Sequence, residues 1–142
     1  MTKKKRRSSY SYVEDEPEYI FNACYDLYLQ PSQILCAGLG VFTRVFIPKD
    51  QLIGNYIGQI KHNNSISCGM SYSVCLNSEY YIDAFDYPRT ILAMINDARF
   101  SNFTNNCVLI TYSHTADIWT VKDIEMNSEL FFDYGDDYWS CR

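Results

Sequence analysis

The chain has 142 residues, a hydrophobic share of 47% and an aromatic share of 16%, which build one hydrophobic core and leave little room for a second. Its net charge is −5. No apolar run reaches the roughly 18 residues that span a bilayer, and the amino-terminal segment is charged where a secretory leader would be apolar; the expectation is a soluble, intracellular protein with no membrane association.

Residues 1–18 read as a flexible leader, with a basic run at Lys3, Lys4, Lys5, Arg6 and Arg7 and an acidic stretch, 14–18, broken by Pro17. The basic run reads either as a solvated tail or as a nuclear-localisation or nucleic-acid-binding signal. Setting it aside leaves a more acidic body, suited to a basic partner such as a histone tail. A single domain is expected over 19–142.

Within that domain, residues 26–29, 40–47, 51–57, 72–76, 80–83, 107–112, 117–121 and 129–134 alternate or run apolar and predict strands. Turn chemistry separates them at Gln30-Pro31-Ser32, Pro48-Lys49-Asp50, His62-Asn63-Asn64 and Asn77-Ser78. Residues 90–96 have helix formers and an upstream Pro88, and predict one short helix leading into a polar loop, 97–106. Strands this closely spaced leave no room for βαβ crossovers, which argues against a Rossmann-type enzyme.

Four segments carry candidate chemistry. Gly38-Leu39-Gly40 reads as a tight turn or as backbone that approaches a ligand closely. Residues 51–59 read as a strand with two glycines, Gly54 and Gly58, that leave room for close packing of another backbone or a ligand. Asn96-Asp97 ends the predicted helix, as cap or as ligand. Asp133-Tyr134-Gly135-Asp136-Asp137-Tyr138-Trp139 turns an apolar strand into an acidic, aromatic tail. The six cysteines, Cys24, Cys36, Cys68, Cys75, Cys107 and Cys141, contain no C-x-x-C pair, so neither a zinc ribbon nor a disulfide framework is expected. His62 and His114 stand alone, without a second ligand at metal spacing.

Taken in order, 37–42 (AGLGVF), 54–59 (GNYIGQ), 71–76 (SYSVCL), 80–84 (YYIDA), 95–99 (INDAR) and 131–139 (FFDYGDDYW) resemble the SET-domain family of protein-lysine methyltransferases over residues 26–139. The resemblance implies a mainly β, α+β fold of several small curved sheets with a knot-like C-terminal threading and one short helix. It implies S-adenosylmethionine as cofactor, S-adenosylhomocysteine as product, and no metal. By similarity Gly38, Leu39, Gly40, Tyr72, Asn96, Asp97 and Trp139 would bind the cofactor. Tyr134 and Tyr72 would be catalytic, and Phe132 and Tyr138 would line the substrate channel, with Phe132 permitting more than one methyl transfer. The implied substrate is a lysine of a histone tail or another basic protein, in the nucleus, with nucleic acid met only through chromatin.

Asp97-Ala98 departs from the Asn-His-Ser of many members and is similar to the PR subfamily, some of whose members are binding modules. A catalytically weak module that binds a peptide or protein is therefore the alternative. The Tyr-Gly-Asp-Asp-Tyr-Trp ending is similar to minimal SET proteins of large DNA viruses, some of which dimerise, so a homodimer and a host nucleus are further expectations.

Overall fold

The computed structural model describes residues 17–63 and 71–140, together with the paired backbones of β1 (Arg6–Arg7) and β2 (Tyr12–Val13). The rest of the expected leader, Asn64 of the expected turn, Cys68 and Cys141 lie outside the described residues.

Short strands assemble into several small sheets. β4 (Leu27–Pro31) and β5 (Leu39–Thr43) form an antiparallel pair. β6 (Leu52–Asn55) joins β11 (Cys107–Thr111) and β12 (Ala116–Thr120) in the order β11-β12-β6. β7 (Gln59–His62), β8 (Ser73–Cys75) and β9 (Tyr80–Asp83) form the sheet β7-β9-β8. β3 (Tyr19–Ile20) pairs in parallel with β10 (Arg89–Thr90).

Alternation decides which face turns inward. In β12 the even positions Ala116, Ile118 and Thr120 are buried and the intervening Asp117 and Trp119 are less so. The inward faces, with Val41, Ile47, Ile53, Ile124 and Leu130, enclose one core. β7 extends through His62, where the sequence predicts a turn; its carbonyls and amides pair with β9 from Gln59–Asp83 to His62–Tyr80.

The helix expected over 90–96 is a shorter 3-10 helix, Ile91–Met94. The Thr90 hydroxyl caps it by accepting from the Leu92 amide at 3.2 Å. Ile95 already has extended backbone, and Asn96 bridges to Phe131 in parallel. Tertiary pairing thus wins over the local helical preference one turn in.

Residues 129–134, expected as a strand, form no ladder. Glu129, Phe131 and Phe132 each bridge to a different partner, Phe42, Asn96 and Cys107. The segment runs between the two ends of the 97–106 loop: the Phe132 amide donates to the Asn96 carbonyl at 3.0 Å, and the Cys107 amide donates to the Phe131 carbonyl at 2.9 Å. This is the threading that the SET resemblance implies. After Gly135, at φ +92°, the chain enters a short helix, α1 (Asp136–Ser140), with two acids in its first turn.

Candidate active site

The crossing creates a polar hub at Asp97, which is only 4% exposed. Its Oδ2 accepts from the Tyr134 amide at 2.9 Å and from the Trp139 indole at 2.8 Å. Its Oδ1 accepts from the Arg99 amide at 2.8 Å and from the Asn105 side chain at 3.2 Å. A buried carboxylate needs its lone pairs filled, and here the filling fastens the tail and α1 to the end of the 3-10 helix. Arg99 adds an outer clamp, 3.1 Å from Asp133 and 3.0 Å from Asp136.

Fastened this way, Tyr134 points its hydroxyl inward and donates to the Ile95 carbonyl at 2.6 Å. Its ring packs edge-on to Phe132 at 5.2 Å and Tyr138 at 4.7 Å, and stacks with Trp139 at 6.2 Å. Burial, then the neighbouring Tyr138, Tyr56 and Asp97, push its pKa far up, so it remains a neutral donor. Burial also raises the Tyr56 phenol, with Arg89 partly opposing.

These rings border a cavity of about 750 Å³, within the range of roughly 300–1,000 Å³ in which cofactor-sized ligands bind. Tyr72, Asn96, Asp97, Phe132, Tyr134, Tyr138 and Trp139 all line it, so seven of the ten residues singled out from the sequence meet around one space. Ser73 Oγ in the same wall is buried and has no hydrogen-bond partner among the described residues. An orphan hydroxyl in a cavity wall is a group that a bound ligand would complete.

Gly38, Leu39 and Gly40 do not line the cavity; residues 34–37, directly before them, do. Gly38 takes φ +72° in the turn into β5. At Gly40 a Cβ would stand 2.2 Å from Glu129 Oε2, so the missing side chain leaves room for a carboxylate. Glu129, 2% exposed, accepts from the Ser32 hydroxyl at 2.7 Å and the Gln33 amide at 2.9 Å. The Asn96 side chain donates to Glu129 at 3.4 Å and to the Leu39 carbonyl at 3.0 Å. Glu129 thereby ties the cavity loop to the Asn96 side chain. Its only sequence signal is an acid set in an otherwise apolar run, Glu129-Leu130-Phe131-Phe132.

Tyr72 lines the cavity from the turn before β8. It takes φ +60°, uncommon for a residue with a Cβ, and its carbonyl accepts from the Ala84 amide at 2.9 Å. The Arg89 guanidinium sits 3.8 Å from its ring centroid. Arg89 was not singled out from the sequence; an isolated arginine beside a proline carries no signal that it is buried.

The sequence pattern of the SET domain matches residues 38–135. The chain is also 30% identical, over 116 residues, to the histone-lysine N-methyltransferase set-17 of Caenorhabditis elegans; the match covers 78% of this chain and 41% of that relative, so this chain spans less than half of its length. With the small sheets, the threaded tail and the match over most of the domain, the chain belongs to the SET-domain methyltransferase family.

Proposed function

We propose that this protein transfers a methyl group from S-adenosylmethionine to a lysine side chain of a protein, a histone tail being the favoured substrate. The observation that carries the reading is Tyr134, held by Asp97 and Ile95 in the wall of an aromatic cavity, with its hydroxyl buried and neutral. The cavity fits the cofactor by size, by its aromatic faces and by the orphan Ser73 hydroxyl.

When bound, the cofactor supplies an electrophilic methyl on a positively charged sulfur. Trp139 offers a flat face for its base, and the backbone of residues 34–37 together with Asn96 would hold the rest. Phe132, Tyr134 and Tyr138 exclude water around the incoming lysine stem. An amine with an ordinary pKa of about 10.4 loses its proton more readily in such an apolar channel. Tyr134 orients it and places a fixed dipole beside the reacting atoms, which is a positioning task and needs no strong base. Phe132 brings no hydroxyl to hold the amine, which favours more than one round of transfer. The acidic body suits a basic tail, the Lys3–Arg7 run suits the nucleus, and self-association would close the cavity further.

The test is labelled S-adenosylmethionine with purified protein and a histone mixture, followed by mass spectrometry of the products. Lysine methylation that Tyr134→Phe reduces about 10²- to 10³-fold is the expected result. No cofactor binding in calorimetry and no transfer would overturn it; peptide binding without transfer would establish the alternative, a PR-like binding module, to which Asp97-Ala98 is similar.

A further inference from the structure

Arg89 is 4% exposed, and among the described residues its guanidinium forms no ion pair. Nε donates to the carbonyls of Ala84 at 3.0 Å and Phe85 at 3.1 Å, and a terminal nitrogen donates to the Phe85 carbonyl as well. The other terminal nitrogen donates to the Tyr87 hydroxyl at 3.2 Å and lies 3.7 Å from the Met94 sulfur. The rings of Tyr72 and Tyr87 lie 3.8 and 4.3 Å from its centre. Dipoles and π faces hold the cation in place without cancelling its charge. One of those rings, Tyr72, is a wall of the cavity.

Resting on the methyltransferase reading, we propose that Arg89 is a positioning residue acting through Tyr72: a permanent cation behind the aromatic wall that fixes the ring and disfavours a second positive charge in the channel, so that the target amine enters neutral.

The groups around Arg89 leave this charge standing. On β9, Asp83 is already matched by Lys61 of β7 at 2.6 Å and by the Phe85 amide at 2.9 Å. Burial opposes its ionisation, but those bonds, with Lys61 and Arg89 nearby, hold its pKa below the usual carboxylate range. Asp86 on the same turn is exposed to solvent, where its charge is screened. From β3, the Tyr19 phenol is raised to about 12, by burial first and then by its bond to Tyr87. Tyr56, after β6, is raised further by burial. Tyr72 and Tyr87 complete the surround. Asp83, Tyr19 and Tyr56 therefore keep one charge state between pH 6 and about 10, where the amine itself titrates.

Arg89→Met and Arg89→Lys, with melting curves to verify folding, test this on the full chain. In Arg89→Met, kcat/KM falls about tenfold at pH 7 and recovers toward wild type near pH 10, because each unit of amine pKa is a factor of ten. Arg89→Lys keeps the cation and the acid limb, with a higher KM. Binding gives a readout independent of turnover. With S-adenosylhomocysteine present, wild type binds a histone-tail peptide carrying norleucine in place of the target lysine more tightly than the lysine peptide. Arg89→Met reduces that preference about tenfold. An active wild type matched by Arg89→Met in pH profile and in peptide preference overturns the proposal alone; a wild type that neither methylates nor binds these peptides overturns it together with the methyltransferase reading. Where Arg89→Met does not fold, Arg89→Gln, which also removes the cation, decides: an acid limb moved upward supports the proposal and an unmoved limb overturns it.

Discussion

The two walls of the cavity are fixed by different physics. The tail wall, Tyr134 to Trp139, is tied by directed hydrogen bonds to one buried carboxylate, Asp97. The Tyr72 wall is held by the faces of rings around a buried cation, with backbone carbonyls as the polar partners. Hydrogen bonds place an atom along a line; a ring on a cation fixes a plane and tolerates sliding within it. On the proposed reading, the atom that orients the amine stands on the first wall, and the ring backed by the buried cation stands on the second.

If that division holds, the largest effect belongs to the directed atom. Tyr134→Phe keeps the ring and its packing and loses only the donor to Ile95, so folding survives while methyl transfer falls about 10²- to 10³-fold; single-turnover assays beside melting curves check both halves. Asp97→Ala comes next. It strands the Tyr134 amide, the Trp139 indole, the Arg99 amide and the Asn105 side chain at once, and denaturant titration should show a loss of roughly 3 kcal/mol. Tyr72 should behave oppositely. Tyr72→Phe preserves the plane and leaves stability near wild type, whereas Tyr72→Ala uncovers the Arg89 cation and costs about 2 kcal/mol.

The sequence made the tail wall far more legible than its opposite. Asp133-Tyr134-Gly135 and the acidic, aromatic run behind it are contiguous, and Asn96-Asp97 sits at a helix boundary, so local chemistry pointed to both. Strand periodicity likewise placed most of the sheets. Three things depend on contacts distant in sequence and left little local trace. Glu129 fills the space that Gly40 leaves, 89 positions away by number (129 minus 40). Arg89 takes part of its cover from Tyr72, on the far side of β9 in the chain. The strand expected over 129–134 dissolves into single bridges because three partners compete for it, and the predicted helix stops at Ile95 because Asn96 is one of them.

Electrostatics sharpen the comparison at lower amplitude. Burial keeps Tyr134 neutral far above the working range, so the pH profile of kcat should rise with the amine and show no descending limb from this phenol up to pH 10. A descending limb that Tyr134→Phe abolishes would mean that the hydroxyl ionises, and with it that the tail wall is wetter than its packing implies.

The smallest effect should come from Arg99, whose guanidinium joins Asp133 and Asp136 outside the hub. Asp136 is 94% exposed and Asp133 61% exposed, so both pairs stand in water, where ion pairs contribute little. Arg99→Gln removes the outer clamp and leaves all four bonds to Asp97 in place, the Arg99 amide included, since that donor is backbone. Cofactor affinity should weaken by less than about threefold at low salt, and the difference should vanish near 1 M salt, where charges are screened within about 3 Å. Calorimetric titration at the two salt concentrations measures it. A larger loss that persists in high salt would transfer the fastening of α1 from the buried carboxylate to the surface, and the contrast between the two walls would then lose its first half.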